Sequence, residues 1–365
     1  MQAAKTALDS GMFITGLGTA TPPRRYLQTE CWEAAQAEEE FHKLTPRSRA
    51  IIKRILLGNN GIVSRYLALD SIKEVFGATP DILNQRFAQN APVLAAKAAG
   101  NALQSAGVEA RQIDAVIIST CTGYLCPGLS SYVSERLGLR ADVLALDLVG
   151  QGCGAALPNL VTAEALLGAG RYERVLSICV EVCSAAFYLD DDPGVLVSAC
   201  LFGDAAGAAI LTAEADSTRR RVEWKAAGSV LNPAARDLLR FEQKNGMLRN
   251  ILTPEVPALA AEHADFVFRD VTKKAGVGQQ QIRTWIWHAG GREVLLALQK
   301  RFGLDEADLC WSASVLRELG NVSSPFVYHV LERALAHHAP GGLWWMSSFG
   351  AGFSCHGALL EVGEA

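Results

Sequence analysis

The sequence predicts an α/β protein made of two similar halves. Short apolar runs alternate with helix-like stretches along the whole chain, the pattern of largely parallel sheets covered on both faces. Each half carries a strand that runs into a glycine-bearing loop and a helix, and each ends in segments rich in small residues (203–211 and 350–360). No Pro/Ser-rich or low-complexity stretch divides the chain near residue 215, so the halves, 1–215 and 216–365, are expected to join without a linker.

Residues 13–18 read as an opening strand, and 29–57 are helical in composition. Residues 92–106 (Pro-Val-Leu-Ala-Ala-Lys-Ala-Ala…) are rich in alanine, the best helix former. A βα rhythm follows: strand 113–119, helix 130–137, strand 143–146, a helix after Cys153, then strands 174–181 and 205–211. The second half repeats it. Strand 222–230 precedes a long helix opened by Thr253-Pro254-Glu255, with threonine placed to cap and proline at the first helical position. Strand 284–288 and helix 292–302 come next. Ser324-Pro325 opens a helix through 335, and strands 342–348 and 353–362 close the chain around a glycine turn.

The chain has 365 residues, 50% hydrophobic and 20% charged, enough to bury a large core. A net charge of −4 with no basic stripe argues against nucleic acid as a partner. No window reaches the ~18 apolar residues of a membrane span, and residues 1–12 show no secretory core. The 9 cysteines are odd in number, which fits free thiols in a reducing cytoplasm. No Cys-x-x-Cys pair exists and no histidines match the cysteine spacings, so no metal site is expected.

Three loops carry candidate chemistry. In Gly150-Gln151-Gly152-Cys153-Gly154, a cysteine sits between an apolar strand and a helix. Glycines let the backbone turn and a ligand approach, and a helix start favours the thiolate. In Trp285-Ile286-Trp287-His288-Ala289-Gly290-Gly291, a strand ends on a histidine, which in an α/β sheet points into the ligand crevice. Gly320-Asn321-Val322-Ser323-Ser324-Pro325 puts an asparagine in a turn before a helix. Seen alone, each residue also fits a packing or capping role. Together they supply a nucleophile, a proton acceptor for it, and two donors for a thioester enolate.

These three motifs, in this order and at these separations, resemble the Cys-His-Asn constellation of the type III polyketide synthases, the chalcone/stilbene synthase family. The likeness extends from about residue 13 to the C-terminus. Cys121-Thr122-Gly123-Tyr124-Leu125-Cys126-Pro127-Gly128, Leu201-Phe202-Gly203-Asp204 and Ser348-Phe349-Gly350-Ala351-Gly352 resemble further family segments. The resemblance implies a thiolase-like, five-layered αβαβα fold and a homodimer. It also implies an acyltransferase that condenses malonyl-CoA, with loss of carbon dioxide, onto an acyl-CoA starter held on Cys153, then cyclises the chain to an aromatic or pyrone product. His288 and Asn321 would bind the malonyl thioester, Phe202 would guard the cavity, and Cys126 would reach the partner's cavity. Phe349 and Gly350 belong to the glycine-rich loop. Lys53 and Arg54 are loose matches to the coenzyme A phosphate ligands, and no metal or organic cofactor is implied. A single-condensation enzyme similar to ketoacyl synthase III, or a cysteine-dependent acyltransferase or thioesterase, are the alternative readings.

Departures stand out. No phenylalanine occurs at 248–250, where the family has a second gatekeeper, and Ala351 replaces the loop proline. Cys121, Cys183 and Ala186 occupy positions of three plant pocket threonines, and cysteine at the first two is similar to bacterial members that build small aromatics from malonyl units alone. Gly16-Leu17-Gly18 lacks the third glycine of a dinucleotide fingerprint. Asp190-Asp191-Asp192 reads as a solvated acidic loop rather than a cation site. Pro158 requires either that the helix begin near Leu157, with Cys153 in the preceding turn, or that it bend.

Overall fold

The computed structural model describes residues 11–364; most of the segment read as lacking a secretory core lies outside the described residues. β1 (Met12–Ala20) is followed by β2 (Arg25–Leu27), α1 (Gln28–Ala37), α2 (Glu39–Lys43), α3 (Pro46–Leu57) and β3 (Ser64–Tyr66). Then come α4 (Pro80–Ala106), β4 (Ala115–Thr120), α5 (Leu129–Leu137), β5 (Leu144–Val149), α6 (Ala156–Gly168), β6 (Arg174–Glu181), α7 (Pro193–Leu201) and β7 (Ala205–Thr212). The second half runs β8 (Val222–Leu231), β9 (Leu239–Lys244), β10 (Met247–Leu252), α8 (Val256–Ala275), β11 (Ile282–Trp287), α9 (Arg292–Phe302), α10 (Cys310–Leu319), α11 (Phe326–Ala336), β12 (Gly342–Gly350) and β13 (Ser354–Val362).

A nine-stranded sheet runs β11-β12-β13-β8-β1-β7-β6-β4-β5. Its two parts share a plan. β1 pairs antiparallel with β7, β7 antiparallel with β6, and β6 parallel with β4. Likewise β8 pairs antiparallel with β13, β13 antiparallel with β12, and β12 parallel with β11. The parts meet only where Met12 faces Trp224 and Phe13 faces Glu223. α6 packs against β6 and β4 of one part and β12 and β13 of the other, and α11 also touches strands of both. These two helices form the middle layer. α4 covers the outer face of the first part and α8 that of the second, which gives the five layers αβαβα. A middle-layer helix must be apolar all round, and α6 (ALPNLVTAEALLG) nearly is.

The alanine-rich helix is longer than the sequence indicates. It starts at Pro80, capped by Thr79 Oγ1, and carries Pro92 in its interior. Proline there deletes a helix hydrogen bond, but Ala91, Ala95, Ala98, Ala99 and Ala102 are wholly buried and pack the helix against the sheet. Gly16 and Gly18 explain the closeness of that packing: a β-carbon on Gly18 would lie 2.3 Å from Ala102 N, and one on Gly16 2.5 Å from Ala102 O. The Gly-Leu-Gly triplet is a helix-packing surface.

Other expectations need correction. Thr253 does not cap α8: the helix starts at Val256, with Glu255 at the N-cap position. Ser324-Pro325 precedes α11, but the Ser324 hydroxyl turns to Glu181 at 2.6 Å. The acidic triplet keeps contact with solvent, as expected, with Asp191 exposed, and it is tied down as well. Asp191 accepts from Thr45 N and Oγ1, both at 2.9 Å, and Asp192 caps α7 through Gly194 N (2.9 Å) and pairs with Arg249. Residues 201–204 form no strand: Leu201 ends α7, and Phe202 makes an isolated bridge to Asn321. Helices α7 and α10 and the hairpin β9–β10 are additions to the sequence reading. No helix among the described residues is long and apolar enough to cross a membrane, and no group of three or more His, Cys, Asp or Glu could hold a metal ion.

Candidate active site

Cys153 lies in a single 3-10 turn, Gly152–Gly154, directly before α6. Pro158 is therefore the third residue of the helix, within the first turn it tolerates. Gly350, at the end of β12, is pressed against this turn: a β-carbon there would meet Gln151 O at 2.4 Å and Gly154 N at 2.6 Å. The neighbouring Phe349 ring lies 5.0 Å from the His288 ring, and Phe326 closes its other side at 5.2 Å. His288 follows β11 and is anchored by its backbone N–H to Ser347 O at 2.9 Å. Asn321 Nδ2 donates to Gly290 O at 3.1 Å, and Asn321 Oδ1 accepts from Ser323 N at 2.9 Å. Ser323 Oγ lies 3.2 Å from Cys153 Sγ. Loops from three remote parts of the chain thus converge: Cys153 touches Ser323 and Gly350, Phe349 touches His288, and Asn321 joins both sides.

Burial dominates the electrostatics. It pushes the Cys153 thiol up to about 12, with the Ser323 hydrogen bond opposing it and the Glu181 carboxylate adding to it. It pulls His288 down to about 3. Burial works against the thiolate that the helix start is expected to favour. His288 is thus a neutral imidazole, and neither ring nitrogen has a hydrogen-bond partner among the described residues. A buried ring with both polar atoms unpartnered calls for an explanation. Proton transfer from sulfur to imidazole would create two opposite charges together, which a dry site tolerates better than either alone.

Glu181, the last residue of β6, is the main feature missed in the sequence. It is fully buried and its carboxyl is raised by burial, against hydrogen bonds from Ser324, the Cys121 amide and Thr122. Cys121 Sγ also donates to it at 3.4 Å. Ser323 Oγ sits 3.4 Å from Glu181 Oε1, so its single proton is shared between carboxylate and catalytic sulfur. A carboxylate closing the apolar run Arg-Val-Leu-Ser-Ile-Cys-Val was the available signal.

Beside this network lies a narrow cavity of about 10 Å³ free volume, lined by residues that include Cys183, Ala186, Phe187, Phe202, Phe241 and Ser323. Cys183 and Phe202 are therefore placed as expected, whereas Cys121 borders the cavity through Ser323. Phe241 answers the absent phenylalanine at 248–250: it pairs with Asn250 across the β9–β10 hairpin, and both line the cavity with Leu248. The aromatic ring comes from the opposite strand. Cys126 is exposed, away from these contacts. Lys53 and Arg54 lie on the exposed side of α3, and the structure does not bring them to the catalytic groups.

Comparison with known proteins agrees with this geometry. Residues 24–238 match the model of the FAE1/type III polyketide synthase-like proteins, and 227–360 that of the chalcone and stilbene synthase C-terminal domain. The chain is 29% identical over 363 residues to a 1,3,6,8-tetrahydroxynaphthalene synthase of Streptomyces peucetius subsp. caesius, covering 98% of this chain and 94% of the relative. It is 30% identical over 361 residues to a 3,5-dihydroxyphenylacetyl-CoA synthase of Streptomyces toyocaensis, covering 95% and 89%. Among solved structures, PKS-I of the brown alga Ectocarpus siliculosus superposes with a TM-score of 0.88 at 25% identity, covering 96% of this chain and 98% of that one. The chain belongs to the type III polyketide synthases, the decarboxylating acyltransferases that include the chalcone and stilbene synthases.

Proposed function

We propose that Cys153 carries the growing chain while His288 and Asn321 act on malonyl-CoA. The observation that carries this reading is the orphaned His288 ring, two residues before the Gly290 carbonyl that holds the Asn321 amide, with Asn321 linked through Ser323 to the sulfur. Cys153 gives its proton to His288 and the thiolate attacks the starter thioester carbonyl; the acyl–sulfur bond to coenzyme A breaks, and the leaving coenzyme A sulfur takes the proton back from the imidazolium. Malonyl-CoA then loses carbon dioxide, and the electron pair of the broken carbon–carbon bond moves to the thioester oxygen. Asn321 Nδ2–H and the His288 N–H hold that enolate. Its carbon attacks the Cys153 thioester, and the sulfur leaves as thiolate, ready to take the extended chain back. No step calls for a redox group or a Lewis acid, so free coenzyme A thioesters suffice, with no metal or organic prosthetic group. Lys53 and Arg54 are assigned to the coenzyme A phosphates on charge and on the family resemblance alone, both being exposed on α3.

A compact aromatic product built from malonyl units is the expectation, in keeping with the products named for the Streptomyces relatives and with Phe187, Phe202 and Phe241 on the cavity wall. Product analysis with malonyl-CoA alone and with a panel of starter thioesters tests this: small aromatics from malonyl units support it, and a product of one condensation favours the ketoacyl synthase III-like alternative. Phe241→Ala removes the ring that Asn250 faces, and is expected to shift the main product to one with at least one more ketide unit. An unchanged product spectrum would remove Phe241 from the length-limiting wall.

A homodimer in the cytoplasm completes the reading. β5 is an edge strand, paired only with β4, and it carries Val149 at 63% exposure. An unpaired apolar edge is a template for a second strand. Tyr124 and Cys126, both exposed on the loop after β4, flank this region in sequence and are available to a partner's cavity. Val149→Lys is expected to turn a dimer into a monomer by analytical ultracentrifugation; a wild-type monomer would contradict the assignment.

A further inference from the structure

Arg65, on β3, is 1% exposed, yet no carboxylate pairs with it among the described residues. A guanidinium taken out of water without a counter-charge is costly, and its contacts show what holds it there. Nη1 donates to Ala199 O at 2.6 Å and to Phe202 O at 2.8 Å, both at the end of α7, where the helix dipole is negative. Nε donates to Gln28 Oε1 at 3.0 Å, which fixes the plane of the fork, and Nη2 lies 3.6 Å from Cys31 Sγ.

The stem of the same side chain supports the asparagine loop. A β-carbon on Gly320 would approach Arg65 Cγ at 2.9 Å and Cδ at 3.1 Å, so the methylenes lie directly beneath the residue before Asn321. Asn321 is bridged in turn to the end of α7, with Asn321 N donating to Leu201 O at 2.9 Å and Gly203 N to Asn321 O at 3.0 Å. The Arg65 guanidinium also stands 5.9 Å from the centroid of Phe187, another cavity wall. One buried side chain therefore touches Phe202, Phe187 and the base of the Asn321 loop.

We infer that Arg65 is a positioning residue for malonyl decarboxylation: it locks the Phe202–Asn321 bridge in register so that the Asn321 amide meets the developing enolate. This rests on the proposed role of Asn321 and adds a residue that touches neither substrate nor sulfur. Lysine in its place keeps a cation and most of the stem but cannot serve two carbonyls and Gln28 at once.

The test is a double-mutant cycle on Arg65→Lys and Asn321→Ala, with acyl loading of Cys153 and carbon dioxide release from malonyl-CoA measured separately. Arg65→Lys is expected to slow decarboxylation about tenfold in kcat while loading stays within twofold, and to add less than twofold in the Asn321→Ala background. An equal loss in both backgrounds, a parallel loss of loading, or wild-type decarboxylation would overturn the inference. Asn321→Ala alone separates the two claims: if it leaves decarboxylation intact, the site reading fails first. Should Arg65→Lys fail to fold, Gln28→Met, which frees the fork but keeps the arginine, decides the matter. A several-fold loss of decarboxylation alone is then expected, and wild-type behaviour contradicts it.

Discussion

Cys153→Ala is expected to abolish acyl loading and to lower product formation by at least about 10³-fold. Cys121 and Cys183 beside the site are, like Cys153, pushed up by burial, so position rather than acidity singles out Cys153: among the described residues it is the thiol in the glycine turn ahead of α6. Alanine fits the turn, because Ser323 and Gly350 contact the sulfur and the backbone rather than a larger side chain, so the fold should persist. Malonyl decarboxylation should persist as well, since its donors lie on the other two loops. Intact-protein mass spectrometry after exposure to starter thioester reads the first effect, and product analysis the second. Sustained synthesis by the variant would remove the sulfur from the mechanism.

Asn321→Ala is expected to slow decarboxylation by about 10²–10³-fold, the usual cost of one preorganised donor to a developing oxyanion, with a much smaller effect on loading. The asymmetry follows from geometry. Asn321 Nδ2 spends one hydrogen on Gly290 O and has a second to offer, whereas Cys153 receives its hydrogen bond from Ser323. Truncation also frees Ser323 N from Asn321 Oδ1, so a modest loss of loading through Ser323 is part of the expectation. Separate assays of carbon dioxide release and acyl-enzyme formation distinguish the two steps. Equal losses in both would count against the assignment.

The three candidate loops were legible from local sequence: Cys153 and His288 each follow an apolar strand and sit among glycines ahead of a helix, and Asn321 sits in a turn between Gly320 and α11. The βα order was legible for the same reason. What escaped depends on packing between distant segments. Glu181 and Arg65 are ordinary charged residues in the chain, and only the fold shows that each is buried without an opposite charge. Phe241 escaped because the hairpin that carries it brings the ring across from Asn250, a relation that alignment position does not express. Pro92 misled in the opposite way. Proline suits a first helical turn, but here a stripe of buried alanines carries the helix through it. Thr253 had the residue type of a cap and the proline to go with it, but the chain makes another turn before α8 begins.

The most direct test follows the Cys153 peptide itself. The protein is loaded with a starter thioester and given malonyl-CoA, and the mass of the adduct on that peptide is tracked alongside released carbon dioxide. Growth of the adduct by whole ketide units, one carbon dioxide for each, is the predicted result. Carbon dioxide released over an unchanged starter adduct, or an adduct growing on a different cysteine, would contradict it.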